Sequence, residues 1–245
     1  MNRRDFLISS GLALAQAGLS YAQLTQETES QTNSSQKIQT PSKKQIYLTI
    51  DDGPGKAMPD MLSILGDNNP VVFYVVGKNM GENGKRLSRQ AIEQGHILGN
   101  HSYSHPQFSK ISIDKGKSEI ERTDKIIEQT YQEVGIFRPA KLFRFPYGDP
   151  GYWSSKSKGS HGNKDKKQAF ANFLQDLGYT TQHWDTDTCD WRYYSKKSPL
   201  SLSTILSNAM SAQDKDIVLM HDRSKTSVAI INKYLDSGKF EFVLP

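Results

Sequence analysis

Cysteine is almost absent from this chain of 245 residues, in which Cys189 is the single one. An intramolecular disulfide is therefore excluded, and so is a small scaffold held together by disulfides. Long apolar runs are lacking as well. The mostly apolar stretch from Ile8 to Leu19 is shorter than the ~20 residues that span a bilayer. We therefore expect no stable membrane insertion once this N-terminal segment has been removed.

The chain also lacks an excess of positive charge outside its first 22 residues and one loop. The formal net charge is +5, of which the first 22 residues carry +1 and residues 154–168 carry +4, with five lysines against one aspartate. These two segments account for the whole excess, so the sequence predicts no extended basic face and no nucleic-acid partner. The lysine-rich loop, with Tyr152 and Trp153 beside it, is either a solvated insertion or a surface that stacks sugar rings and attracts an anionic polymer.

The N-terminal region has the pattern of a bacterial export signal. Arg3 and Arg4 precede the apolar stretch, and Ser20-Tyr21-Ala22 forms a small-x-small cleavage site. The Arg-Arg-x-Phe-Leu pattern is typical of the twin-arginine type, and an ordinary secretory signal is the alternative. We predict a signal over 1–22, a polar flexible tether over 23–43 and a folded domain over 44–245. The protein is then expected to be periplasmic or secreted.

Seven short runs rich in β-branched and aromatic residues alternate with longer stretches of helical character. The predicted strands cover 45–50, 71–76, 96–99, 141–145, 180–184, 216–220 and 240–244, and the predicted helices cover 57–67, 82–94, 112–134, 167–177, 199–212 and 226–237. Ser112 is expected to cap the longest helix, and Pro199 is expected in the first turn of another. The alternation predicts an α/β fold with a parallel sheet, open or closed.

Two carboxylates end the first predicted strand, in the segment Asp51-Asp52-Gly53-Pro54. Adjacent residues in a strand point to opposite sides, so the two acids are expected to have different roles. Farther along, His101 and His105 are four residues apart, and two imidazoles with one carboxylate form the ligand set of a catalytic zinc site. The second carboxylate is then available as a base for water. A simple Asp-Gly-Pro turn is the alternative interpretation.

Three further segments carry polar residues after an apolar run: Phe143 to Gly148, Trp184 to Trp191, and Ile217 to Asp222. Together with the first two they make five motifs in order, and on these motifs the chain resembles the polysaccharide deacetylase family, the NodB-homology domain of carbohydrate esterase family four. The resemblance covers nearly everything after residue 43 and implies an irregular (β/α)7 barrel with a deacetylase domain. The strand-end positions agree with it, because barrel enzymes place their chemistry at the C-terminal ends of their strands.

The resemblance implies a metal centre and a base beside it. Asp52, His101 and His105 match the family's metal ligands. The family's metal is a divalent cation, most often Zn2+, and the same ligands also suit Co2+, Ni2+ or Fe2+. Asp51 matches the catalytic base that accepts the proton of the attacking water. Arg144 matches the arginine that holds this base, and we expect a bidentate contact between them.

The resemblance also implies an acid and a pocket for the acetyl group. His221 matches the catalytic acid that protonates the departing amine, and Asp190 matches the carboxylate that fixes its tautomer and favours its charged form. The backbone N–H of Tyr147 matches the donor to the developing oxyanion. Trp191 and Leu219 match the apolar pocket that receives the acetyl methyl, and core packing is the alternative for both.

The predicted function is metal-dependent removal of N-acetyl groups from a GlcNAc-containing polysaccharide, which is peptidoglycan, a chitin oligomer or an exopolysaccharide. The predicted partner is therefore an acetylated glycan substrate, and the sequence leaves the oligomeric state open. One alternative is an O-acetyl esterase that acts on xylan or another acetylated glycan. The non-enzymatic alternative is a catalytically silent glycan-binding module, which would need neither Asp51 nor His221.

Overall fold

Parallel pairing joins most of the strands into one curled sheet. The computed structural model describes residues 42–155 and 159–245, which belong to a compact unit from Ser42 to Pro245. The strands are β1 (Lys44–Gly53), β2 (Val72–Val75), β3 (Ile97–Asn100), β4 (Leu142–Phe143), β5 (Tyr152–Ser155), β6 (Gly159–Gly162), β7 (Thr180–Thr181), β8 (Thr186–Asp187), β9 (Ile217–His221) and β10 (Phe240–Phe242). The sheet order is β7-β4-β3-β2-β1-β9-β8, with β10 beside the start of β1.

Six α-helices lie between these strands in the described residues: α1 (Met58–Leu65), α2 (Glu82–Glu93), α3 (Ile113–Val134), α4 (Lys164–Asp176), α5 (Leu202–Met210) and α6 (Ser224–Ser237). The Ser112 hydroxyl caps α3 by accepting from the Lys115 N–H, as predicted. The prediction for Pro199 is wrong. Helix α5 begins three residues later, at Leu202, because the Ser201 hydroxyl accepts from the Thr204 N–H and caps it there.

The sheet is covered on both faces. All four residues of β2 are buried, and Ile46, Leu48 and Ile50 of β1 are fully buried, as is typical of parallel strands between layers of helices. Every described pairing of the main sheet is parallel. Among the described pairings, none joins the edge strands β7 and β8, so the curled sheet stays open. The predicted α/β fold of irregular barrel type is confirmed.

The lysine-rich loop has more regular structure than the sequence predicts. Strands β5 and β6 pair as an antiparallel hairpin, and α4 begins at Lys164 rather than at residue 167. The Lys166 ammonium donates to the backbone carbonyls of Ser109 and Ile111, at 3.1 and 2.7 Å. Lys166 therefore ties this segment to the loop that precedes α3, whereas residues 156–158 lie outside the described part of the chain.

The predictions for the N-terminus fall mostly outside the described residues. The export signal over 1–22 and the tether as far as residue 41 belong to the part of the chain that is not described, and both stay predictions. Strand β1 begins at Lys44, directly after the predicted tether. Within the described residues, no helix combines enough length with enough hydrophobicity to traverse a bilayer.

Candidate active site

The end of β1 directs its two acids to different neighbours. Asp51 continues the strand and pairs in register with Tyr74 of β2 and His221 of β9. Asp52 has a left-handed backbone (φ 69°), and the register of the sheet shifts between Asp51 and Gly53. Irregularities of this kind commonly re-aim a side chain beside an active site. Asp51 is buried and Asp52 is half-buried.

Side chains from the end of β1 and from the loop after β3 converge on a cluster of metal-ligand type. The potential ligand atoms of Asp52, His101 and His105 all lie within 4.8 Å of one another. Asp52 Oδ1 is 3.1 Å from His105 Nε2 and 3.7 Å from His101 Nε2. His105 lies outside any helix, in agreement with the general bias of a residue before a proline against helical geometry. Two imidazole nitrogens and one carboxylate oxygen fit zinc and related transition-metal ions.

The buried imidazole of His101 has a defined tautomer when it is neutral. Its Nδ1 lies 2.7 Å from the backbone carbonyl oxygen of Arg144. A carbonyl only accepts hydrogen bonds, so Nδ1 must carry the hydrogen, and the lone pair is on Nε2, which faces Asp52. Burial lowers the pKa of His101 in spite of the carboxylates nearby. The neutral form, which a metal ligand requires, is therefore favoured.

Asp52 is surrounded by groups that favour its ionised form. Burial alone raises the pKa of this carboxyl, but the hydrogen bond with His105 and the charges of His221 and His101 outweigh it and hold the pKa well below its usual range. The outer oxygen, Oδ2, lies 3.3 Å from Nη2 of Arg223. One oxygen of Asp52 is thus held by a guanidinium, while the other faces the two histidines.

Arg144 is buried beside Asp51 and forms a hydrogen bond with this carboxylate. Its guanidinium is 1% exposed, and Nη1 donates to Asp51 Oδ1 at 2.9 Å and to the Thr49 hydroxyl at 2.7 Å. Nη2 donates instead to the backbone carbonyl of His183, at 3.0 Å. The predicted bidentate contact is therefore wrong, because the second nitrogen is used by the backbone. Asp51 Oδ2 stays on the side of the metal-ligand cluster, 3.6 Å from His101 Nε2.

Asp190 forms two hydrogen bonds with His221. One carboxylate oxygen lies 2.8 Å from Nδ1 of the His221 ring, and the other accepts from the His221 backbone N–H at 2.9 Å. Burial lowers the pKa of His221, but the hydrogen bond and the negative charge of Asp190 outweigh it and raise the pKa to about 9. The ring therefore carries a proton at neutral pH, and Nε2 is directed away from Asp190.

A cavity of about 520 Å³ opens over these side chains. Eight of the ten residues predicted from the sequence line it: Asp51, Asp52, His101, His105, Tyr147, Trp191, Leu219 and His221. The remaining two, Arg144 and Asp190, are buried. Arg144 contacts Asp51 and Asp190 contacts His221, and these two partners line the cavity. The indole of Trp191 is exposed, whereas Leu219 is buried at the cavity wall.

Tyr147 stands beside the cluster on a short 3-10 turn. Its backbone is left-handed (φ 60°), and its exposed ring lies 4.6 Å from the His105 ring, measured between centroids. The same cavity is lined by four side chains that the sequence prediction did not include: Phe145, Trp184, Asp187 and Arg223. Each lies within three residues of a predicted one or in a segment singled out for its motif. Position after a strand end was therefore the signal that could have identified them.

The strand ends and the cavity define the class of protein. The family model for polysaccharide deacetylases matches residues 38–164, about half of the chain, and the chain belongs to this family. The matched region includes Asp51, Asp52, both histidines of the cluster and Arg144. Asp190 and His221 lie beyond it.

Similar proteins act on several acetylated glycans according to their names. The chain is 29% identical over 205 residues to the peptidoglycan-N-acetylglucosamine deacetylase PgdA of Listeria monocytogenes, with 82% of this chain and 38% of that protein covered. It is 31% identical over 184 residues to the bifunctional xylanase/xylan deacetylase of Cellvibrio japonicus, with 74% and 23% covered. The chain thus spans about two fifths or less of the length of these two curated relatives.

A solved structure agrees with the observed fold. The peptidoglycan deacetylase PdaC of Bacillus subtilis superposes on this chain with a TM-score of 0.63 at 25% sequence identity. The superposition covers 83% of this chain and 88% of the PdaC chain. The curled parallel sheet is therefore the fold of a known deacetylase domain, and the similarity extends over nearly the whole described unit.

Proposed function

We propose that this chain is a metal-dependent hydrolase that removes N-acetyl groups from a GlcNAc-containing polysaccharide. The observation that carries the proposal is the pair of proton-transfer groups beside one ligand cluster. Asp51 is held by Arg144 on one side, and His221 is held in its protonated form by Asp190 on the other. A base and an acid with different protonation states are what amide hydrolysis requires.

The metal ligands in this proposal are Asp52, His101 and His105, whose atoms approach within 4.8 Å. The low pKa of Asp52 and the neutral tautomer of His101 suit a divalent cation, for which Zn2+ is the first choice and Co2+, Ni2+ or Fe2+ fit the same donors. When bound, such a cation supplies Lewis-acid chemistry, which polarises an acyl carbonyl and makes water more acidic.

The chain's own residues then move two protons. Asp51 Oδ2 accepts a proton from the water that adds to the acetyl carbon, since Oδ1 is occupied by Arg144. His221 Nε2 gives its proton to the glucosamine nitrogen as the carbon–nitrogen bond breaks, so that acetic acid and a neutral amine are released, and the acid then loses its proton to solvent. The proton on His221 is restored from solvent, and the Asp51 proton is lost to solvent.

The remaining predicted residues orient the acetyl group. In the proposal, the backbone N–H of Tyr147 donates to the carbonyl oxygen as negative charge develops on it. Trp191 and Leu219 line the same cavity and supply the apolar surface for the acetyl methyl. Phe145 and Trp184 add aromatic surface at the cavity wall, where a sugar ring can stack.

The peptidoglycan deacetylase PgdA supports a bacterial wall glycan as substrate, and with it export from the cytoplasm. An export signal over 1–22, of twin-arginine type, is part of the proposal. The xylan deacetylase of C. japonicus favours one rival, an O-acetyl esterase. A silent glycan-binding module is less well supported, because binding alone explains neither the Asp51–Arg144 pair nor the Asp190–His221 pair.

Mass spectrometry of acetylated glycans tests the proposal directly. The purified protein, loaded with Zn2+, is incubated with peptidoglycan fragments, N-acetylated chitooligosaccharides and acetylated xylooligosaccharides. We expect loss of acetyl groups with release of free amine from at least one GlcNAc-containing glycan. Loss of acetyl groups only from xylooligosaccharides would favour the esterase, and no loss from any glycan with any of the four metal ions would refute the enzymatic function.

A further inference from the structure

The turn that carries the two histidines of the cluster has an unusual backbone. Ser102 and His105 both have left-handed φ angles, of 64° and 61°, although neither is glycine. Such conformations persist only when surrounding contacts determine them. Two contacts hold the inner side, since the N–H groups of Gly77 and Lys78 donate to the carbonyls of Ser102 and Tyr103. Within the turn, the His105 N–H donates to the Ser102 hydroxyl at 3.2 Å, and Ser104 is held from outside the turn.

Helix α3 supplies that hold through one buried carboxylate. Glu119 is fully buried, and its Oε2 accepts from the Ser104 backbone N–H at 2.6 Å while its Oε1 accepts from the Ser104 hydroxyl at 3.0 Å. Ser104 directly precedes His105. The exposed ammonium of Lys115, one helical turn earlier, lies 3.1 Å from Oε1 and balances the charge.

Neighbouring residues on the same helical face support the same turn. The Arg122 guanidinium lies 3.5 Å from the centroid of the Tyr103 ring, and Arg122 is three residues after Glu119. A buried carboxylate is costly unless its hydrogen bonds are satisfied. Simple packing of α3 against the turn does not require one, so the charge of Glu119 calls for a specific explanation.

We infer that Glu119 is a positioning residue for the metal ligand His105, acting through Ser104. The inference rests on the proposed metal site. By holding the N–H and the hydroxyl of Ser104 at once, Glu119 fixes the left-handed step into His105 and so keeps Nε2 of that ring directed at Asp52 Oδ1. Partners behind a metal ligand typically change metal affinity 10- to 100-fold.

The test compares Zn2+ affinities by competition with a chromophoric chelator. Because Glu119 acts one residue away from the ligand, Glu119→Ala should weaken Zn2+ binding roughly tenfold, the lower end of the usual range for such partners. Glu119→Gln keeps one acceptor and should lose less, as should Ser104→Ala, which keeps the backbone N–H. Deacetylation by Glu119→Ala should fall when Zn2+ is limiting and recover when Zn2+ is in excess.

Two controls separate positioning from stability. Glu121→Ala removes an exposed glutamate of the same helix and should leave Zn2+ affinity unchanged. Ile127→Val thins the core under α3, and it should lower the melting temperature without changing Zn2+ affinity. If Glu119→Ala, Glu119→Gln and Ser104→Ala all bind Zn2+ like the wild type, the inference is overturned. A wild-type protein that binds no divalent cation would overturn the proposed function as well.

Discussion

Substitution of Asp190 or of His221 should show whether His221 acts as a catalytic acid or has only a structural role. An amide substrate needs its departing nitrogen protonated, whereas nitrophenyl acetate releases a stable anion and needs no acid. His221→Ala should therefore reduce deacetylation of a chitooligosaccharide by roughly 10²- to 10⁴-fold, the usual range for general acid–base catalysis. Hydrolysis of the activated ester should fall much less, so each variant carries its own control.

The magnitude for Asp190→Asn follows from the pKa of His221. With the carboxylate in place, the pKa is raised to about 9, so about nine tenths of the rings are protonated at pH 8. Without it, burial is opposed only by the negative charges of Asp51 and Asp52, so the pKa falls from about 9 toward its usual value of about 6.5, at which about 3% would stay protonated at pH 8. The amide rate at pH 8 should therefore fall, by up to about 30-fold if the pKa reaches this value.

The assay is a set of pH–rate profiles for the wild type and both variants with each substrate. The high-pH limb of the amide profile should move from about pH 9 toward about pH 6.5 in Asp190→Asn, and metal content should stay at the wild-type level. Equal losses on the amide and the ester would refute the acid role. An unmoved limb in Asp190→Asn would show that Asp190 does not set the protonation of His221.

Three further predictions concern other parts of the chain. Arg144→Lys keeps the charge but cannot hold Asp51 and the neighbouring backbone together, so kcat should fall by up to about 100-fold; wild-type kcat would contradict this. His96 is buried with a pKa lowered by burial to about 4, so it stays neutral in the folded protein when the unfolded chain is already protonated. Stability should decrease by about 3 kcal/mol as pH falls from about 6.5 to 4, and His96→Gln should flatten this slope in urea unfolding. Replacing Arg3 and Arg4 by lysines should block export in cell fractionation, and an unchanged periplasmic yield would indicate the ordinary secretory route.

The sequence predicted the strand ends well because a parallel strand buried on both faces gives a short, dense apolar run. The strands Lys44–Gly53 and Ile217–His221 were predicted in this way as 45–50 and 216–220. Asp51, Asp52 and His221, which follow the predicted runs, lie within the last residues of the observed strands. The two-residue strand Thr186–Asp187 escaped prediction because it is too short to show periodicity. The hairpin from Tyr152 to Gly162 escaped because its sequence is polar and rich in glycine and serine.

Contacts between segments that are far apart in the chain could not be predicted from the sequence. Whether Arg144 holds Asp51 with one nitrogen or two depends on the position of the His183 carbonyl, which the motif does not contain. The contact of Arg223 with Asp52 likewise depends on the path of the chain between β9 and α6. Glu119 resembles any helical glutamate in the sequence, and only its complete burial against Ser104 distinguishes it.

Metal content and activity measured together on Asp51→Asn and Asp52→Ala test the central assignment most directly. Both variants are stripped with a chelator, titrated with Zn2+, and assayed for amine release from an N-acetylated chitooligosaccharide, with elemental analysis of the bound metal. Asp51→Asn should bind one Zn2+ per chain and release almost no amine, whereas Asp52→Ala should lose both the metal and the activity. Equal metal loss in the two variants, or full activity in either one, would contradict the account.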